Sequence, residues 1–250
     1  MSGAGPARRL GSAPVPTKPR DPIFVFDSEE KYLPMAVESV EAVPATLVTA
    51  NEDTGAAIAL ADLPKAGGRM NFPPDSEDQE KRLRPKFGNV GYRRQVEDGG
   101  LTWVQYWLWY LYNPKAYLGI GKHEGDWEFV QVGYAGETPV CMTTSRHHTG
   151  GSRMWWEVER YRGRPRIYVA VDSHANYFTP RQGVTEVEDT CDGEGEKLSR
   201  IKWKDFGSWQ DWPGLWGNST DEGRSPESPG RQQPRWNHPA LYHTQSRDSH

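Results

Sequence analysis

The residues with the most evident chemistry are His123-Glu124-Gly125-Asp126-Trp127-Glu128. This hexapeptide puts one imidazole and three carboxylates just ahead of the apolar run Phe129-Val130-Gln131-Val132. Carboxylates so close together repel one another unless a positive group sits among them. A hard divalent cation such as Ca²⁺ or Mg²⁺ prefers carboxylate oxygen. A neutral imidazole among the oxygens widens the choice to Mn²⁺ or Zn²⁺. On a strand, Asp126 and Glu128 project from one face and Trp127 from the other, toward a core. Gly125 permits a sharp bend that returns His123 toward Asp126. The competing reading is a solvated acidic turn, to which Glu124 belongs. The expected ligands are therefore His123, Asp126 and Glu128.

Two further groups of residues are candidates. Asp172-Ser173-His174 follows the strand-like Ile167-Tyr168-Val169-Ala170-Val171. If that strand continues, Asp172 and His174 share a face. His174 is then a metal ligand, a general base near the metal, or a structural histidine bonded to backbone. His147-His148 precede Thr149-Gly150-Gly151 in a loop, where at most one imidazole turns toward the site. The acidic run from Glu186 to Glu196 carries oxygen donors but lacks the EF-hand spacing, so it reads as a solvated loop. Lys81-Arg82-Leu83-Arg84-Pro85-Lys86 reads likewise, balanced by Glu77, Asp78 and Glu80. No phosphate loop, nucleotide fingerprint, G-x-S-x-G elbow or C-x-x-C pair is present.

The elements that must position these residues are mostly strands. Gly (26), Pro (20) and Trp (11) are abundant in the 250 residues, which suits short strands joined by tight turns. Leu101 to Tyr112 is almost wholly aromatic, aliphatic or β-branched and reads as a strand buried on both faces. Further strands are expected at Ile23–Phe26, Glu128–Val132, Val140–Thr144, Met154–Val158 and Arg166–Val171. A helical turn is expected after Pro34, and a short helix at Ala56–Leu60 in an otherwise loop-like stretch from Glu52 to Gly91. The expected fold is mainly β, a single-domain β-sandwich-like unit over 22–240 with short peripheral helices. Residues 1–21 read as a disordered arm and 241–250 as a flexible tail. The net charge of −4 gives no nucleic-acid footprint. No apolar run is long enough for a transmembrane helix, and the first residues lack the apolar segment of a signal peptide. A cytoplasmic location is therefore expected. Cys141 and Cys191 read as free thiols.

Several motifs occur in a fixed order. Trp103-Val104-Gln105-Tyr106-Trp107-Leu108-Trp109-Tyr110-Leu111-Tyr112-Asn113 precedes Gly121-Lys122-His123-Glu124-Gly125-Asp126-Trp127-Glu128. Then follow His148-Thr149-Gly150-Gly151 and Asp172-Ser173-His174-Ala175-Asn176-Tyr177-Phe178. The chain opens with Asp27-Ser28-Glu29-Glu30-Lys31-Tyr32-Leu33-Pro34-Met35 and closes with Trp212-Pro213-Gly214-Leu215-Trp216-Gly217. From about Pro22 to about Pro239 this order resembles the vacuolar protein sorting-associated protein 62-like family. That family is distantly similar to the necrosis- and ethylene-inducing-protein-like (NLP) cytolysins. In the cytolysins, the heptapeptide G-H-R-H-D-W-E helps to hold a divalent cation on a β-sandwich. The resemblance implies the same role for His123, Asp126 and Glu128, and it favours His148 over His147. The chain departs from the cytolysins twice. Ala116 follows Pro114-Lys115 where they carry an Asp ligand, and Gly125 stands in place of the middle His.

These readings lead to one main expectation and two alternatives. The main one is an intracellular, divalent-metal-dependent enzyme in which the metal activates water or polarises a substrate oxygen. His174, Glu124 or His148 would then move the proton. The resemblance implies the first alternative, a metal-dependent binder of a polar head group such as a sugar or phospholipid. The second is a metal-stabilised structural or assembly protein. The expected partner is a small molecule or head group, with no nucleic acid; peripheral contact with a membrane is left open.

Overall fold

The computed structural model describes residues 20–49, 52–72, 76–114, 122–146, 149–183, 189–218 and 225–246. Its strands are β1 (Ile23–Phe26), β2 (Thr46–Thr49), β3 (Glu52–Ala57), β4 (Arg69–Asn71), β5 (Val90–Asp98), β6 (Leu101–Asn113) and β7 (His123–Ala135). They continue with β8 (Thr138–Arg146), β9 (Thr149–Met154), β10 (Arg160–Tyr161), β11 (Arg164–Val169), β12 (Asn176–Tyr177), β13 (Lys197–Leu198) and β14 (Lys202–Lys204). Two α-helices, α1 (Ser76–Phe87) and α2 (Pro239–Gln245), and short 3₁₀ turns lie around them. The chain is thus a mainly β, sandwich-like unit, as expected.

The larger sheet has the order β14-β5-β6-β7-β8-β9, with β5 to β9 running as an antiparallel meander. The second contains β10-β11-β1-β13, with β12 also on β11, and its β1–β11 pair is parallel. Between the two sheets lie Phe24, Phe26, Val104, Tyr106, Leu108, Tyr110, Val130, Val132, Ile167 and Val169. Alternation along β6 sends Trp107, Trp109 and Leu111 to the opposite face. There they meet Trp127, Phe129 and a cluster of late tryptophans, Trp209, Trp212, Trp216 and Trp236. Both faces of β6 are therefore apolar for the same reason: each is covered. The small sheet β3-β2-β4 lies apart from these two, and Met70 of β4 packs into the tryptophan layer.

Some local expectations change. The strand expected over Met154–Val158 ends at Met154. Trp155–Glu157 is a 3₁₀ turn, closed by the Met154 N–H donating to the Glu157 carboxylate at 2.8 Å. Ala56 and Ala57 end the exposed strand β3, and only Leu60–Asp62 makes a helical turn. The loop expected between Glu52 and Gly91 contains α1, whose Glu80 and Leu83, three apart, face inward together. The basic run Lys81–Lys86 lies on that helix, and Arg84 pairs there with Glu196. The turn expected after Pro34 is a 3₁₀ segment, Val37–Glu41. From 241 the expected flexible tail gives way to α2, because buried Tyr242 donates its hydroxyl to the Thr149 carbonyl at 2.7 Å. Residues 1–19 and 247–250 lie outside the described residues. Cys141 and Cys191 are both buried and unpaired.

A buried acidic cluster at one end of the sandwich

β7 carries the hexapeptide, and its first residues shape the site. Tyr110 lies opposite Asp126 and Leu108 opposite Glu128 on the inter-sheet face, while Trp127 lies opposite Trp109 on the other. The sequence therefore places Asp126 and Glu128 on one face and Trp127 in a core. Gly125 has φ +65°, a left-handed conformation. That twist breaks the alternation and sends Glu124 toward the tryptophan side. Its carboxylate accepts the N–H groups of Phe72 at 2.8 Å and Asn218 at 2.9 Å. Burial pushes the Glu124 carboxyl up, against those two bonds and the Arg69 charge. With two backbone donors, Glu124 fastens β7 to the covering loops. Gly125 has no room for a side chain: an added Cβ would lie 2.2 Å from the Trp216 carbonyl oxygen and 2.5 Å from the Trp109 ring.

His174 comes from the far sheet. β11 stops at Val169, and the chain turns through Asp172 (φ +64°) and His174 (φ +54°). The strand does not continue, so Asp172 and His174 do not form the expected shared strand face. The His174 N–H donates to the Ala170 carbonyl at 3.2 Å, and its ring enters the interior. There it stacks on Tyr110, with 3.8 Å between centroids and 6° between planes. Nδ1 lies 3.0 Å from Asp126 Oδ2, and Nε2 lies 3.8 Å from Glu30 Oε1. The side chains of His174 and Glu30 are 0% exposed, while that of Asp126 is 10% exposed. Burial disfavours the imidazolium, but the Glu30 charge and the Asp126 hydrogen bond outweigh it and hold His174 above its usual range. Glu30 accepts the N–H groups of Tyr32 and Asp172, each at 2.7 Å. Burial nevertheless pushes its carboxyl up, with His174 opposing.

Glu128 accepts the Ser145 hydroxyl, which itself accepts the Phe129 N–H at 2.8 Å. The Asn176 amide approaches the same carboxylate at 3.5 Å. On α1, Glu80 accepts the Leu33 N–H at 3.3 Å, and burial pushes its carboxyl up to about 7. Its second oxygen is buried without a partner. Four carboxylates, Glu30, Glu80, Asp126 and Glu128, thus share one interior with a single imidazole.

The donor set fits a divalent cation in chemistry. His123 Nδ1 lies 2.6 Å from the Gly125 carbonyl oxygen. A carbonyl only accepts, so Nδ1 carries the hydrogen and Nε2 keeps the lone pair a metal needs. Asp126 and Glu128 supply oxygens from one face. Among the described residues, however, no group of three or more His, Cys, Asp or Glu side chains is placed to hold a metal ion. The fit is therefore of ligand type and facing, not of a closed cage. His147, His148 and Ala116 lie outside the described residues.

Sequence reasoning singled out His123, Asp126, Glu128 and His174; the structure brings His174 to Asp126, with Glu128 on the same face, and turns His123 to the Gly125 carbonyl. The same reasoning missed Glu30, Glu80, Tyr110, Ser145 and Asn176. Glu30 carried one signal, since it belongs to an acidic turn directly after the first strand. Glu80 carried none, being one acid among many on a charged helix.

No family model and no curated protein matches this chain. The resemblance to the vacuolar protein sorting-associated protein 62-like family therefore has no support from these comparisons. Among solved structures, the chain is similar to one described as NLPPya in complex with glucosamine, at 12% identity and TM-score 0.48, over 91% of this chain and 86% of that one. It is also similar to NLPPya in complex with mannosamine, at 16% identity and TM-score 0.39, over 64% and 65% of the two chains. The similarity to the NLP side is thus distant, and no site residue is carried across by it.

Proposed function

We propose that this protein binds a hydroxylated polar head group of the sugar type through a divalent cation held by Asp126, Glu128 and His123. One observation carries the choice of binder over enzyme: His174 is sealed. A general base must reach the proton it removes, directly or through one water. An imidazole with no exposed surface, stacked on Tyr110 and facing Asp126 and Glu30, orients a carboxylate instead. Glu124 is also committed, to two backbone donors. Asp126, which His174 holds, is more exposed than Glu128 or Glu80, at 7% against 3% and 2%. The charge balance supports the cation, because Asp126 and Glu128 lie on one face with the His174 ring beside them, while burial favours the neutral forms of Glu30 and Glu80. When bound, the cation would supply open coordination positions for vicinal hydroxyls.

Glucosamine has the required hydroxyls and is a suitable probe. Titration calorimetry of the protein with glucosamine should show binding in excess Ca²⁺ or Mn²⁺ and its loss on adding EDTA. Asp126→Asn should weaken the affinity at least about tenfold, the effect of losing one charge-assisted contact. Equal binding by wild type and Asp126→Asn, or binding indifferent to EDTA, would refute the proposal. Turnover of the sugar would restore the enzyme reading.

A further inference from the structure

The opposite end of the sandwich carries a second feature, independent of the site above. Among the described residues, the exposed large apolar side chains are Met154, Trp156, Tyr161 and Leu241. Three of those four fall within eight residues, and Trp156 is 70% exposed. Scattered exposed apolar residues are ordinary, but a contiguous patch marks an interaction surface. Beside it runs an open groove of about 340 Å³. It is lined by Thr138 and Pro139 at the start of β8 and by Arg20, Trp155, Trp156, Arg160 and Gly163. β8 runs from this groove to Arg146 near the acidic cluster, so the two features lie roughly 26 Å apart along the strand.

Two arginines, Arg20 and Arg160, are among the residues that line the groove, and no carboxylate is among them. Arg160 donates to the Trp155 carbonyl, and Arg164 to the carbonyls of Asp21 and Pro22. Bonds to neutral carbonyls hold these guanidiniums in place without cancelling their charge. Arg162 lies over the Tyr161 ring. Of the nearby acids, Glu159 pairs with Arg166 and accepts the Tyr168 hydroxyl, and Asp21 pairs with Arg93, while Glu157 meets only a backbone donor, the Met154 N–H, and Glu137 adjoins Thr138.

We propose that this groove docks an acidic protein segment in extended conformation, with an aromatic or proline side chain against Trp155 and Trp156. The lining selects that partner: Pro139, Trp155 and Trp156 together with Arg20 and Arg160 match a chain that alternates apolar and acidic side chains. Tryptophan and arginine are also the residues that most often dominate binding energy at such contacts.

The test uses the full chain and a fluorescent glutamate–tyrosine copolymer, with a lysine–tyrosine copolymer and phosphatidylserine vesicles in parallel. Anisotropy should show binding of the acidic copolymer that weakens as salt is raised. Trp156→Ala and Arg160→Glu should each weaken it about tenfold or more. Both residues are exposed, so both variants should melt as wild type does. The Trp156 indole N–H signal, assigned with Trp156→Phe, should shift on titration. Wild-type affinity in both variants, an unmoved indole signal, or equal binding of the basic copolymer would overturn the proposal. So would vesicle binding that needs Trp156 and Arg160 while the acidic copolymer fails to bind.

Discussion

Glu80→Gln isolates the energetic cost of one member of the buried acidic cluster. In the fold its carboxyl rises from the ordinary 4.5 to about 7, chiefly through burial; the Leu33 N–H, Arg84 and His174 oppose the rise, and Glu30 adds to it. A raised folded pKa means that the native state binds the proton more tightly than the unfolded chain does. Stability from this group is therefore fully present below the unfolded value and is lost as pH rises through the folded one. The loss spans about 4.5 to about 7 and amounts to at most about 3.5 kcal/mol, at about 1.4 kcal/mol for each unit. Glutamine mimics the neutral acid: it can still accept the Leu33 N–H, and its amide replaces an oxygen that already lacks a partner. Urea unfolding at pH 5 should then find the variant close to wild type. At pH 8.5 the variant should be more stable by about 2 to 3.5 kcal/mol. Glu30 and His174 are also held above their usual ranges and add slopes of the same sign. They remain in the variant, so the difference between the two proteins reports Glu80. Parallel curves at both pH values, or a variant less stable at pH 8.5, would refute the reasoning.

Other perturbations follow from the same packing. Gly125→Ala should destabilise by about 2 to 5 kcal/mol, combining about 1–2 for the left-handed backbone with about 1–3 for overpacking against Trp109 and the Trp216 carbonyl; a cost below about 1 kcal/mol in urea would show that the twist is dispensable. His174→Phe keeps a ring against Tyr110 but strands Asp126 and Glu30, so the fold should lose about 3 kcal/mol or more. A melting curve unchanged by that substitution would show that His174 does not hold the cluster together. Cys141 and Cys191, both buried with thiols pushed up to about 11, should resist a thiol reagent at pH 8 until the protein unfolds; fast native labelling of either would contradict their burial.

What the sequence made legible follows from periodicity. β6 could be read because both of its faces are apolar along its whole length. Asp126, Trp127 and Glu128 could be assigned to faces because strand alternation leaves little choice over three residues. The position of Glu124 could not be assigned, since it depends on the sign of φ at Gly125, and glycine adopts either sign. The turn into His174 was hidden for a related reason. Asp172 and His174 are non-glycine residues at positive φ, which local preference disfavours, and the hydrogen bonds to Ala170 and Glu30 impose it. α1 was obscured by charge: its exposed face is so polar that the inward pair Glu80 and Leu83 gave no visible stripe. The partners Ser145 and Asn176 are carried by strands far apart in sequence, and only the register of the two sheets brings them to Glu128.

The distribution of burial gives this end of the sandwich a meaning beyond packing. A sheet end could have been closed by aliphatic side chains, as the middle is by Val104, Val130 and Ile167. Here four carboxylates and an imidazole occupy the interior instead, and a buried ionic group is more often neutral or unfavourable for stability than a source of it. The tryptophan layer on the other face of β6 and β7 supplies the apolar burial that lets the fold tolerate them. Such a local conflict between polarity and burial is where function is expected, because a purely structural sequence has no reason to keep it. Within the cluster the gradient of exposure gives the direction. The side chains of Glu30 and His174 are sealed, while that of Asp126 is 10% exposed. The sealed pair therefore acts on Asp126 by fixing its orientation, and Asp126 meets whatever arrives from solvent. Removing the sealed pair should thus cost stability first and binding second, whereas Asp126→Asn should cost binding with the smaller loss of fold. That ordering, measured in the same preparations by urea unfolding and by calorimetry, separates a held carboxylate from a catalytic relay, in which His174 would carry the functional loss.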